Sequence, residues 1–278
     1  MMLGIGLTMT VQAQEEVVDA YFTTSEMPNM MVFMPGPPDS TSVAFANDVN
    51  RYYWGKEMRK DIERADQAIR DAEYGLQTIL VEFEDAFGMK ITKEDTPEIY
   101  KVLLEGTATC DSICTKPKRE YRRRRPLMVF NEQTLTPQDE ESLRKNGSYP
   151  SGHTLLGWSS ALLMMEINPD RANEILARGY RYGENRIVVG AHWQSDTDAA
   201  RLAASVVYAR LHTSERFLEQ MKKARKEFKD RQNPTVVPHL EMDRQPSTST
   251  RAYTINGAPA NDSTRGIVIS QGQKTVRR

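Results

Sequence analysis

The chain has 278 residues, with 37 Lys/Arg against 38 Asp/Glu (formal net charge −1) and 39% hydrophobic residues. That length holds one large domain or two small ones, and a charge so near zero names no partner. The longest mostly apolar run, Leu155 to Ile167, is interrupted by Ser159, Ser160 and Glu166; a helix crossing a bilayer takes about 20 apolar residues, so this one is too short and too polar.

In chain order, Met1 to Val11 has the apolar character of a secretory h-region, and Val11-Gln12-Ala13 resembles a small-residue cleavage site, although no basic stretch precedes it. Residues 1–13 are therefore set apart from the fold, and a periplasmic or secreted location is expected. The segment from 14 to about 50 carries Pro35-Gly36-Pro37-Pro38 and reads as extended, with a helical pattern starting near Val43. Met58, Ile62, Ala65, Ile69, Ala72, Leu76, Ile79 and Phe83 recur at steps of three and four. This periodicity predicts one long amphipathic helix, broken near Gly75 and ended before Gly88. Cys110 and Cys114 lie one helical turn apart, compatible with a small disulfide clip or with two buried thiols. Two cysteines and four scattered histidines make no zinc signature, and no metal or cofactor is expected.

Thr96-Pro97, Thr136-Pro137 and Asn168-Pro169 each place a capping residue before a proline suited to the first helical position. Asn146-Gly147 ends the second of these helices. Asp196 to about Arg231 reads as one last helix with an apolar stripe through Leu202, Val206, Ala209, Phe217, Met221, Ala224 and Phe228. With no strand alternation before residue 232, residues 14–232 are predicted to form an all-α bundle of roughly eight or more helices. Residues 233–250, rich in Pro, Ser, Thr and Asn, read as a linker. Residues 251–278 read as a β-like tail, with turn signals at Asn256-Gly257 and Gln271-Gly272. The tail loosely resembles the C-terminal sorting or anchoring segments of secreted Bacteroidota proteins.

Three strings carry chemistry: Lys118-x6-Arg125-Pro126, Pro150-Ser151-Gly152-His153, and Arg186-x5-His192-x3-Asp196. Each alone is weak, but together they supply what phosphoryl transfer without a metal requires. A transferring phosphoryl group spreads charge over three oxygens, and catalysis is chiefly positioning and electrostatics. Arg125 and Arg186 can grip those oxygens bidentately, with Lys118 as a point charge. Seven residues separate Lys118 from Arg125, so a single helix ended or kinked by Pro126 is expected to put both on one face. Ser151 and Gly152 at a helix start offer a hydroxyl, backbone N–H groups and room for an anion. His192 can attack if Asp196 holds its other ring nitrogen, and His153 can protonate the departing oxygen. Arg119, Arg122, Arg123 and Arg124 read as a solvated face or as ion pairs with acidic neighbours, most pointing away from the site, rather than as a nucleic-acid patch. His212 and His239 lie outside the constellation.

These strings resemble the three-part motif of the type 2 phosphatidic acid phosphatase superfamily, which includes the vanadium haloperoxidases. Gly147-Ser-Tyr-Pro-Ser-Gly-His-Thr154 and Gly190-Ala-His-Trp-Gln-Ser-Asp196 are similar to the bacterial class A non-specific acid phosphatases, as are Val43–Asp48, Ala86–Gly88, Glu166–Pro169 and Asn173–Tyr180. The resemblance covers roughly residues 30–232. It implies a helical, secreted or periplasmic, vanadate-sensitive phosphomonoesterase acting on nucleotides, sugar phosphates and aryl phosphates. His192 would be the nucleophile, His153 the acid, Asp196 the orienting carboxylate, and Lys118, Arg125, Ser151, Gly152 and Arg186 the phosphate binders. It also implies subunit association and, in some members, phosphate transfer to nucleosides. Asn185 stands where the family usually has serine. The haloperoxidase reading is the weaker alternative, because the Gly147–Thr154 context favours the phosphatases.

Overall fold

The structure, a computed structural model, describes residues 18–232, 252–254, 259–261, 263–270 and 273–277. The signal-like segment 1–13, the linker 233–250, His239 and both turns expected in the tail lie outside the described residues. The chain divides into two compact units, Met1–Gln232 and Asn233–Arg278. The described residues of the first form helices α1 (Met30–Phe33), α2 (Val43–Met58), α3 (Ile62–Arg70), α4 (Leu76–Glu82), α5 (Glu84–Phe87), α6 (Pro97–Asp111), α7 (Thr115–Tyr121), α8 (Pro126–Val129), α9 (Glu140–Lys145), α10 (Gly152–Ile167), α11 (Ala172–Val189), α12 (Gln194–Leu211) and α13 (Glu215–Gln232). The second contains an antiparallel sheet of short strands, β1 (Ala252–Thr254), β2 (Pro259–Ala260), β3 (Gly266–Ser270) and β4 (Gln273–Arg277), in the order β2-β1-β3-β4. The fold is the all-α class expected, with β structure, among the described residues, confined to the tail.

The apolar run too short for a membrane is the heart of the bundle. It becomes α10, which packs against α11, α12 and α6. Leu155, Ala161, Leu163 and Met164 of α10 are fully buried. The α10–α11 crossing is close because Gly157 has no side chain; a Cβ there would collide with the ring of Tyr182, itself fully buried.

Three expectations fail at helix ends. The long amphipathic helix is four pieces. Asp61 caps α3 by accepting from the Arg64 N–H, a break that was not expected; the expected break falls between Arg70 and Gly75 (φ +151), and the run ends at Gly88 (φ +83) as expected. A three- and four-residue apolar rhythm survives such breaks when the successive pieces face the same core. The last helix is likewise two, α12 and α13, separated at His212–Ser214, where the Ser214 hydroxyl accepts from Phe217 N–H. Pro126 does not end a helix but opens α8; α7 has already stopped at Arg122, whose backbone is left-handed (φ 45). The proline-marked starts at 97, 137 and 169 hold, the latter two as 3-10 turns. None of Thr96, Thr136 and Asn168, however, makes the expected side-chain cap. At α6 the carboxylate of Glu227 on α13 accepts from Glu98 and Ile99 N–H instead, a cap supplied across the bundle. Cys110 and Cys114 are buried and free, not bridged, and burial pushes both thiols up to about 12.

Candidate active site

Three helix ends build the site. At the first, left-handed Arg122 turns the chain so that the next three arginines diverge. Arg124 donates to the Met128 carbonyl, while Arg123 and Arg125 run inward. Gly147 permits this, since a Cβ there would strike the Lys118 carbonyl. Its own carbonyl accepts from Lys118 Nζ (3.2 Å) and Arg125 Nη2 (3.3 Å). Lys118 and Arg125 are thus brought together by a turn and a shared acceptor, not by one helix face.

At the second, the N-terminus of α10, Ser151 is the cap: its hydroxyl accepts from Thr154 N–H (3.3 Å), and its own N–H donates to the Asp196 carbonyl (3.1 Å). Pro150 precedes the cap instead of starting the helix. The Nε2 of His153 lies 2.9 Å from the Ala72 carbonyl. A carbonyl only accepts, so Nε2 carries the hydrogen and Nδ1 is left for other chemistry.

The third end is the C-terminus of α11. Gly190 adopts φ +91, and the Ala191 and His192 N–H groups both donate back to the Arg186 carbonyl, which places His192 beside Arg186. His192 is 2% exposed. Its Nε2 is 2.8 Å from Arg125 Nη1, and its Nδ1 is 3.2 Å from Asp196 Oδ2. Arginine can only donate, so Nε2 holds a lone pair and Nδ1–H points at Asp196. Asp196 Oδ2 also accepts from Trp193 N–H at 2.9 Å, which pins it at the start of α12.

Electrostatics sets the protonation states. Burial lowers the pKa of His192 well below the usual histidine range, and Arg125, Lys118 and Arg186 lower it further. His153 is lowered by burial first and then by Arg186. Lys118 is lowered to about 8, and Arg125 and Arg186 to about 10, chiefly by burial. The Nε and Nη1 of Arg186 are buried and have no hydrogen-bond partner among the described residues. Leaving a buried charge-bearing donor unmatched is costly unless an anion arrives to meet it. Among the described residues no His, Cys, Asp and Glu group could hold a metal ion; the concentrated positive charge comes from lysine and arginine.

The sequence reading missed a supporting layer. Arg123 falls in the ion-paired part of its expectation, yet its side chain is only 8% exposed, donating at 2.6 Å to both Asp48 and Asp196. Ser148 also reaches Asp196, at 3.4 Å. Asp71, at the end of α3, accepts from Arg178 (3.0 Å) and from the Asn185 amide (2.7 Å). Asn185 therefore spends its donor on Asp71. A carboxylate's sequence position gives no sign of such roles; only Asp48 had one, through its place in the stretch Val43–Asp48. His212 bonds the Tyr208 carbonyl and Glu166, a structural part.

A nitrogen lone pair held ready beside two buried arginines and a half-buried lysine is the equipment of a phosphoryl-transfer enzyme. Comparison with known proteins agrees. The family described as PAP2 superfamily matches residues 100–217. A non-specific acid phosphatase of Providencia stuartii is 41% identical over 209 residues, 75% of this chain and 84% of the relative. One from Salmonella typhimurium is 38% identical over 219 residues (78% and 87%), and an acid phosphatase of Zymomonas mobilis 33% over 236 (85% and 89%). The chain belongs to the PAP2 superfamily, in its group of non-specific acid phosphatases.

Proposed function

We propose that this acid phosphatase hydrolyses phosphate monoesters of broad type through a phosphohistidine, without a metal. The observation that carries the reading is His192, its Nδ1–H directed to Asp196 and its Nε2 lone pair fixed by Arg125. On binding, the phosphate takes over Arg125 Nη1 and the unmatched donors of Arg186, and Nε2 is released to attack phosphorus. The P–O bond to the alcohol breaks, and the departing oxygen takes a proton from His153 Nδ1. Neutral His153 then removes a proton from water as its oxygen attacks phosphorus; the P–N bond breaks and its electron pair returns to Nε2. An alcohol in place of that water gives phosphotransfer, for example to a nucleoside. The apolar segment at residues 1–13 supports export to the periplasm or beyond, and the tail supports a sorting or anchoring role. Association into homo-oligomers is proposed from the family resemblance.

His192→Ala is expected to lower kcat by at least roughly a thousandfold. Rapid-quench labelling with a radioactive phosphomonoester, stopped in alkali, is expected to give labelled phosphohistidine in the native enzyme alone. Full hydrolysis by the variant refutes the assignment. EDTA is expected to leave the rate unchanged and vanadate to inhibit, because vanadate mimics the five-coordinate phosphoryl group.

A further inference from the structure

Tyr74 stands beside the proton donor and takes no part in the scheme above. Its ring meets that of His153 edge-on, with centroids 4.8 Å apart and planes at 70°. It also flanks the first residue of α10: a Cβ on Gly152 would lie 3.9 Å from Tyr74 Cε2. The phenol is tethered at its far end, donating to Asp111 Oδ1 at 2.6 Å. Yet the residue is 47% exposed, so the ring that touches half-buried His153 also faces solvent. Nearby, Asp71 and Ala72 hold Asn185 and His153, so the ring rises from the same turn that fixes the acid.

Direction follows from chemistry. In an in-line displacement the nucleophile and the leaving group sit on opposite sides of phosphorus. His192 is the attacking side in the reading above, so the leaving oxygen is at His153, and whatever that oxygen carries lies against the surface next to His153. That surface is an anchored, half-open aromatic ring. Anchoring matters because a pre-positioned ring loses little freedom on binding.

We propose that Tyr74 sets leaving-group preference, its ring forming the wall on which an aromatic or otherwise planar alcohol stacks. The proposal rests on the assignment of His153 as the acid and adds a specificity residue to it.

The test compares benzyl phosphate with n-butyl phosphate, whose alcohols have similar basicity and differ in the ring. Phenyl phosphate, a better leaving group, is the third substrate. Steady-state kcat/KM is measured for native enzyme and for Tyr74→Ala, Tyr74→Leu and Tyr74→Trp. Stacking is modest, so the benzyl-to-butyl ratio is expected to fall roughly three- to tenfold in the Ala and Leu variants. The change is expected mainly in KM, with Tyr74→Trp keeping or raising the ratio. If Tyr74 instead only orients His153, benzyl and butyl phosphate lose activity equally and more than phenyl phosphate, because alkoxides depend most on protonation. That result overturns the proposal. Failure of the underlying reading looks different: native enzyme would form no phosphohistidine, whatever the Tyr74 ratios.

Discussion

In the proposed mechanism two histidines of one chain take opposite tasks, and their ring nitrogens face different groups. His192 is wedged between a donor and a carboxylate, so its lone pair and its proton each have a fixed address. His153 has one nitrogen on a carbonyl and, among the described residues, no hydrogen bond at the other. Both are pushed toward neutrality by burial and by neighbouring cations. For the proposed nucleophile this extends the neutral form to lower pH. For the proposed acid it means that the free enzyme holds the needed proton only below the usual histidine range, so kcat/KM is expected to fall as pH rises through the acid range, before neutrality. A second loss is expected above about pH 8, where Lys118 gives up its charge and KM rises. Arg186 is the largest charge acting on His153. Arg186→Gln is therefore expected to move the first limb of the kcat/KM profile to higher pH while costing roughly a hundredfold in rate, as loss of a transition-state donor does. An unshifted limb would detach His153 from that limb.

At the scale of elements, the site depends on where helices stop. α7 stops one turn early at Arg122, α11 stops at Gly190, and α10 starts at Ser151. The sequence showed the last of these plainly, because a Ser before Gly-His and an apolar run is a strong start signal. It concealed the first, since an arginine in left-handed conformation has no signature; φ > 0 there is imposed by packing against Gly147. The α10–α11 crossing is a further constraint on the site, for it brings His153 within the field of Arg186. Gly157→Ala would push a methyl into the Tyr182 ring. It is expected to destabilise the protein by about 1–3 kcal/mol, read as a lower Tm with an unchanged phosphohistidine yield at low temperature.

At the scale of the whole molecule, burying neutral histidines and crowded cations couples stability to pH and to ligand. A histidine whose folded pKa lies below its unfolded value of about 6.5 adds stability that is complete above that pH and lost as pH falls. In phosphate-free buffer Tm is therefore expected to drop between pH 7 and pH 5. Inorganic phosphate is expected to raise Tm at both pH values and more at pH 5, by meeting the charge of Arg186 and of protonated histidine. Reductant is expected to leave Tm unchanged, since Cys110 and Cys114 are separate thiols.

What the linear chain determined by itself was the set of candidate groups for the proposed chemistry: which residue types were present, in which order, and that helices would carry them. Lys118, Arg125, His153, Arg186, His192 and Asp196 could be picked out because motif spacing and helix-start signals are local properties. What only the tertiary structure decided was how those strings meet. The Gly147 carbonyl joining Lys118 to Arg125, Arg123 bridging Asp48 to Asp196, Asp71 claiming Asn185 and Tyr74 leaning on His153 each join residues far apart in the chain. Such contacts cost loop-closure entropy and are repaid only once a shared core has formed, so no local window of sequence can contain them.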